Sequence, residues 1–456
     1  MTPEKAASKT PPAIRRRTPI LTTLVVALAG FAAGCGGEEK TGNDGEVSGT
    51  VRLFAFGDPE ELQAFKNVIA AFEQEEPDVD VQLVETSDRD DLIARLSTSF
   101  AGGTPPDVFL LNYRFYAQFA ARGVLEPVEQ YVADSEVFQE DDFYEPALDA
   151  FRFDGTLTCL PQNISSLVVY YNKDMFAAAG LPEPKEGWFW SDFVQTAVAL
   201  TKGAKVEGEG EGGEIEGSAD IYGVGVEPSM IRIAPFVWSA GGNVVDDDDA
   251  PTHFTLDSPE ALTALREFFK LRGLYGVSPT DEEVESEDDE TRFQNGRLAM
   301  VLSSRRSTPT FRTITKFDWD VAPLPSFGEP AGILHSDAYC MTKASKNKDA
   351  TWRFIEYALG PEGAPVVART GRTVPSLKSV AESDAFLDPS AKPANSQVFL
   401  DTIPVIRRVP SISTWPEIED AVGPILEDAF YKGKTVEEVL AEIRAATDEI
   451  FARAER

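Results

Sequence analysis

Catalysis and metal binding demand particular residue types at particular spacings, and this chain of 456 residues meets few of those demands. Its two histidines, His253 and His335, stand in no metal-ligating spacing with its three cysteines, Cys35, Cys159 and Cys340. The sequence contains no glycine-rich phosphate loop and no nucleophile elbow. The expectation is a protein with no catalytic residues, no metal and no cofactor, whose chemistry is that of recognition. Arg305-Arg306 is the pair best suited to it. Two neighbouring guanidinium groups fit a carboxylate, a phosphate or a densely hydroxylated ligand through bidentate hydrogen bonds. The competing reading pairs one of them with a carboxylate such as Asp337.

A different chemistry lies near the start. Lys5, Lys9 and Arg15-Arg16-Arg17 are followed by an uncharged stretch at 20–33, then by Ala32-Ala33-Gly34 and Cys35-Gly36-Gly37. That order matches an export signal cleaved before a cysteine that receives lipid, so residues 1–34 are expected to be a lipoprotein signal peptide. The apolar stretch of ~14 residues falls short of the ~20 a helix needs to span a bilayer. A signal with an incidental cysteine is the alternative, and Ala32 stands where such signals usually carry leucine. Arg16-Arg17 leaves both the general and the twin-arginine export routes open. The expected location is extracytoplasmic, lipid-anchored to the cell membrane, with residues 35–48 as a flexible tether.

The formal net charge is −34, with 76 acidic against 42 basic residues. Such a surface repels nucleic acid and anionic headgroups, which leaves the lipid as the expected route to the membrane. The length exceeds one ordinary core and predicts two domains or lobes. Residues 51–56 read as a strand, and Gly57-Asp58-Pro59-Glu60-Glu61 turns it into a helix with Asp58 at the N-cap and Glu61 completing a capping box. Leu62, Phe65, Val68, Ile69 and Phe72 then recur at helical spacing. A second strand at 79–83, a second helix through Leu92, Ile93, Leu96 and Phe100, and the buried run at 108–111 complete a β-α-β-α-β series. In doubly wound α/β sheets, ligands bind beyond the carboxyl ends of the strands, here Phe56-Gly57-Asp58 and Asn112-Tyr113-Arg114. Further helices are expected from Ser258-Pro259, Asp349 and the Thr435–Glu438 capping box. The stretches 203–217, 246–249 and 280–290 are acidic and read as solvated loops without a calcium-loop pattern.

Several motifs stand in one order along the chain: Gly57-Asp58, Pro106-Asp107-Val108, Gly155-Thr156-Leu157-Thr158-Cys159-Leu160-Pro161, Tyr170-Tyr171-Asn172-Lys173-Asp174-Met175-Phe176, Gly180-Leu181-Pro182 and Trp190-Ser191-Asp192-Phe193. Trp238 with Gly241-Gly242, then Phe293-Gln294-Asn295-Gly296-Arg297-Leu298-Ala299-Met300, Pro323-Leu324-Pro325 and Ala344-Ser345-Lys346-Asn347 follow. In these motifs the chain resembles the extracellular solute-binding proteins of the carbohydrate-importer class, the maltose-binding-protein-like family. The resemblance implies an α/β fold of two doubly wound lobes joined by a multi-strand hinge, of the periplasmic-binding-protein type II, with solute held in the cleft between them. It implies a first lobe of 49–160 plus 342–400, a second of 164–336 plus 408–456, and hinge crossings near 160–163, 337–341 and 401–407. It places Cys159 and Cys340 on adjacent hinge strands, where a disulfide is one outcome and two free thiols the other. A monomer delivering solute to the transmembrane subunits of an ABC-type permease is the implied assembly.

A sugar site needs flat aromatic faces for the C–H side of the ring and planar polar groups for the hydroxyls. Positions matching the family's site are Phe56, Asp58, Asn112, Tyr113 and Arg114 from the first lobe. Gln162, Asn163, Glu227, Trp238, Arg305, Arg306, Asp337 and Trp415 come from the hinge and second lobe, with Arg372 as an addition. Each has a structural alternative: Asp58 as a helix cap, Trp238 as core under Gly241-Gly242, and Trp415 as packing at a helix start. Trp188 and Trp190 are expected to pack the lobe surface, and His335 to be a hydrogen-bonded loop residue. The family's sugar binders often carry glycine and an aromatic ring where this chain has Ser303-Ser304-Arg305-Arg306, so a plain neutral disaccharide is not assured. The rival functions are an exported glycosidase, which needs two carboxyl groups ~5–9.5 Å apart across a cleft, and a lipoprotein scaffold without cargo.

Overall fold

The computed structural model describes residues 47–86, 88–203, 205–206, 215–216 and 219–455. Cys35, its leader, most of the tether and most of the 203–217 stretch lie outside the described residues. The chain opens with β1 (Gly49–Phe56), α1 (Pro59–Glu75), β2 (Val79–Thr86), α2 (Arg89–Ala101), β3 (Val108–Asn112) and α3 (Tyr113–Ala120). It continues through β4 (Leu160–Pro161), β5 (Val168–Asn172), β6 (Tyr222–Gly225), α4 (Met230–Ser239), β7 (Leu298–Ser303), β8 (Trp319–Ala322) and β9 (Asp337–Met341). It ends with α5 (Lys348–Leu359), α6 (Trp415–Lys432) and α7 (Val436–Ala452).

Two mixed sheets result. The first has the order β2-β1-β3-β9-β4, with β1, β2 and β3 parallel and β9 antiparallel to both β3 and β4. The second has the order β6-β7-β5-β8, with β6 and β7 parallel and β5 antiparallel to both its neighbours. Helical periodicity explains how α1 covers the first sheet. Ala64, Phe65, Val68, Ile69 and Phe72 form its buried stripe, and Phe72 meets Phe354 of α5 edge-on at 5.4 Å. Val108 to Leu111 are all buried, as a strand covered on both faces requires.

Antiparallel entry decides which strand ends meet. Asp337 at the start of β9 is opposite Asn112 at the end of β3, and Val168 at the start of β5 is opposite Ser303 at the end of β7. The starts of β9 and β5 therefore join the carboxyl ends of the parallel strands. Cys159 and Cys340 are disulfide-bonded with their Cα atoms 4.4 Å apart, tying the approach to β4 onto β9. Between the sheets the chain runs through 162–167, where Ser165 and His335 exchange backbone hydrogen bonds, and through the pairing of 332–333 with 406–407. The stretch 392–395, expected with the first lobe, bonds to the edge strand of the second sheet: Asn395 donates its N–H to Asp320 Oδ1, and Lys392 Nζ pairs with Asp318.

The 280–290 stretch is not a solvated loop. It folds into two short helices, Asp281–Ser286 and Asp289–Gln294, opened by a Thr280/Glu283 capping box and Asp288 respectively. Burial, only partly offset by Arg292, pushes the carboxyl of Asp289 up to about 7. The 246–249 loop is pinned to the rest of the molecule by Asp248–Arg407 and Asp249–Arg408 ion pairs at 3.0 and 2.5 Å.

Candidate functional site

The facing ends of the two sheets enclose a cleft of about 550 Å³. Strand ends of the first sheet supply Phe56, Asn112 and Asp337, and those of the second supply Ser304, Arg305 and Arg306. The segment after β6 adds Glu227 and the first turn of α4, and α6 adds Glu419, Asp420 and Glu427. Among the described residues eight acidic residues and six arginines line the space, with a single phenylalanine, Phe56.

The charges are organised into clusters. Arg372 donates to Asp58 Oδ2 at 2.8 Å and, through Nε, to Glu61 Oε2. Burial pushes the Glu61 carboxyl up to about 7 against the opposing pull of Arg372. Gly57 permits this arrangement, because a Cβ there would stand 2.6 Å from Glu61 Oε2. Arg114 donates to Glu419 Oε2 at 2.5 Å, and both side chains are mostly buried. Asn112 accepts from the N–H and the Nε of Arg114 at 3.3 Å, so the residue that caps α3 also aims its arginine. Asn163 accepts the Asp337 N–H at 2.6 Å and turns its amide toward Asp337 Oδ2. Arg306 pairs with Glu290 at 2.7 Å, not with Asp337.

Ten of the expected residues border the cleft: Phe56, Asp58, Asn112, Arg114, Asn163, Glu227, Arg305, Arg306, Asp337 and Arg372. Four do not, and their surroundings say why. Trp415 is fully buried, its Nε1–H donating to Glu419 Oε1 at 3.0 Å and its ring packed against Phe254. It steers the carboxylate that holds Arg114 and is no stacking platform. Trp238 is core, as its bland reading had it, with the Arg407 guanidinium 4.8 Å over its ring. Tyr113 is buried, and its hydroxyl accepts the Val409 N–H. Gln162 is buried, and its side-chain amide has no partner among the described residues; nothing in its surroundings explains that.

Two of the ten also need correction. Asp58 precedes α1 but makes no side-chain cap bond, since Arg372 holds its carboxylate elsewhere. Arg305 touches the cleft wall, yet its guanidinium donates to Gly371 O at 2.7 Å and to Ser396 Oγ at 3.1 Å, sandwiched over Phe386 and Phe399. Burial lowers its pKa to about 9. Arg305 is therefore a brace, and the tandem pair sends only Arg306 to the cleft.

The sequence reading missed Glu61, Arg89, Ser165, Ser229, Arg232, His335 and the carboxylates of α6, all of which line the cleft. His335 borders this space; its backbone is hydrogen-bonded to Ser165, as expected of a bonded loop residue, but its Nε2 is buried without a partner among the described residues. Burial, reinforced by Arg232, Arg114 and Arg306, keeps its imidazole neutral, well below the usual histidine range. One signal was available for Arg232: Pro228-Ser229 before an apolar run is a helix start, which puts an arginine in the first turn.

The family model described as bacterial extracellular solute-binding protein matches residues 57–365. A binding protein of Brucella abortus is 25% identical over 398 residues, 85% of this chain and 90% of that one. The sn-glycerol-3-phosphate-binding periplasmic protein UgpB of Escherichia coli is 22% identical over 385 residues, 81% of this chain and 85% of that one. The ABC substrate-binding protein of Listeria monocytogenes solved in complex with cycloalternan superposes with a TM-score of 0.77 at 24% identity, over 88% of this chain and 97% of that one. That superposition carries the two-lobed type II periplasmic-binding-protein architecture to this molecule. The chain belongs to the bacterial extracellular solute-binding protein family.

Proposed function

We propose that this protein captures a carbohydrate or related polyhydroxylated solute outside the cytoplasm and hands it to an ABC-type permease, acting as a monomeric receptor held at the membrane by lipid on Cys35. The observation that carries the reading is the cleft itself: one space, lined with polar groups from both sheets, at the strand ends where α/β folds bind ligands. A ligand shifts closure only as far as it prefers the closed state, so contacts from both lobes are what such a receptor requires. Relatives named for sn-glycerol-3-phosphate and solved with cycloalternan support a polyhydroxylated cargo. The paucity of aromatic faces favours a small, strongly polar solute over a stacked oligosaccharide.

A panel of sugars, sugar acids, sugar phosphates and polyols, read by thermal shift, tests the proposal. A bound solute at a hundredfold excess over its dissociation constant stabilises the fold by about 2.7 kcal/mol. The same solute should compact the molecule in small-angle scattering. Turnover of glycosides without compaction would instead favour an exported hydrolase.

A further inference from the structure

We infer that the first turn of α4, with Arg232, is a subsite for an oxyanion carried by the solute, a phosphate ester or a carboxylate. This deepens the receptor reading and rests on it.

Arg232 is only 5% exposed, yet its Nε and Nη1 have no partner among the described residues. Its Nη2 is 3.5 Å from Glu227 Oε2, too far for a strong charge-assisted bond. A guanidinium taken out of water with its N–H bonds unmet is a costly state. It is tolerable in a receptor whose arginine lines the cleft and turns those bonds, buried without a partner in the empty protein, toward an incoming anion. The backbone adds to the charge. The first amides of a helix have no carbonyl within it to bond, and the helix dipole places positive potential at that end. Here Met230 and Ile231 of that turn line the cleft, and Ser229 makes no side-chain cap bond. Arg306 and Arg114 add to the same field, which is why both push the Arg232 pKa down, after the larger effect of burial. The nearest competing anion is Glu227, a carboxylate of the cleft wall beside Arg232 whose side chain still reaches water, and Glu290 acts in the same sense more weakly. The cleft walls around Glu227 displace water and favour its protonation, but Arg232, Ser229, Arg306 and Arg114 together outweigh that and hold it ionised.

The test compares glucose, glucose 6-phosphate, glucuronate and inorganic phosphate on the purified protein by calorimetry and thermal shift. The charged sugars should bind at least tenfold more tightly than glucose, and inorganic phosphate alone should raise the melting temperature. The phosphate and carboxylate arms distinguish the two oxyanion sources. Arg232→Gln should abolish both effects, while Glu227→Gln, an exposed change that removes the competitor, should strengthen anion binding severalfold. If glucose binds and neither phosphate nor the charged sugars do better, the subsite is refuted and the receptor reading stands. If anions bind but neither substitution alters them, the anion sits elsewhere and the assignment fails. A phosphate response lost in Arg232→Gln, with no sugar bound, would support the subsite and remove the polyhydroxylated cargo. Silence across the whole panel would remove both.

Discussion

Arg372 lies between two carboxylates of one helical turn, and the two are treated differently by their surroundings. Asp58 keeps contact with water, whereas Glu61 is buried and its pKa is raised from 4.5 to about 7. The native protein therefore holds the Glu61 proton more tightly than the unfolded chain between those values. The stability contributed by this group is complete below pH 4.5, declines as pH rises through the window and is lowest above about pH 7. The shift sets an upper limit of about 3 kcal/mol on that decline. Glu61→Gln should flatten the fall in unfolding free energy between pH 5 and 7.5, measured by urea denaturation. An unchanged slope would mean that Glu61 ionises freely in the native state. His335 acts in the opposite sense, since its depressed pKa removes stability as pH falls below the ordinary histidine range. The comparison of variant with parent isolates Glu61 from that background.

At the scale of elements, the disulfide ties β9 to the residue that leads into β4, its neighbour in the first sheet, across 181 residues of sequence. Closing so long a loop in the unfolded chain predicts that reduction, or the Cys159→Ser/Cys340→Ser pair, lowers stability by about 2–5 kcal/mol. The denaturant midpoint should fall while the solute-binding stoichiometry is kept; an unchanged midpoint would show that β4 and β9 are held by their ladder alone. The elements themselves were largely readable from sequence. The stripe from Phe65 to Phe72, the apolar run at 108–111 and the Thr435/Glu438 capping box each carry a local period or pairing that few other conformations satisfy. The acidic 280–290 stretch misled because its charge is locally solvable in two ways: Glu283 and Asp288 cap helices whose start residues also suit a loop. Cleft residues were legible where a strand end fixes direction, as at Phe56 and Asn112. They were not where a helix must choose a face. Trp415 stands at the start of α6, and its rotation about that axis, set by Phe254 and Glu419, turns the ring away from the cleft. Arg305 and Arg306 are adjacent in sequence, yet one braces Gly371 and the other meets Glu290.

For the whole molecule, the question is what holds the two halves at their present separation without solute. Arg114 lies in the first turn of α3, which follows β3 of the first sheet, whereas Glu419 belongs to α6, which packs on the helix Pro259–Gly273 and on α4 of the second half and also touches α3 itself. Their 2.5 Å bridge therefore links the two halves at the cleft wall where α3 and α6 meet, with Trp415 and Asn112 fixing its two ends. A mostly desolvated pair of this kind is worth more to the state that forms it than an exposed one, and its loss leaves a buried charge unpaired. Arg114→Met should open the molecule, raising the radius of gyration measured by small-angle scattering before any solute is added. Because both partners also line the cleft, weaker solute binding alone would not separate a lost contact from a lost latch. The solute-free measurement does, and a double-mutant cycle with Glu419→Gln should show the two substitutions to be non-additive. If the bridge contributes ~1.4 kcal/mol to the closed form, the population shift alone lowers apparent affinity by at most about tenfold, and by less where the closed form predominates without solute. A radius of gyration identical to that of the parent would assign the pair a local role within the cleft wall.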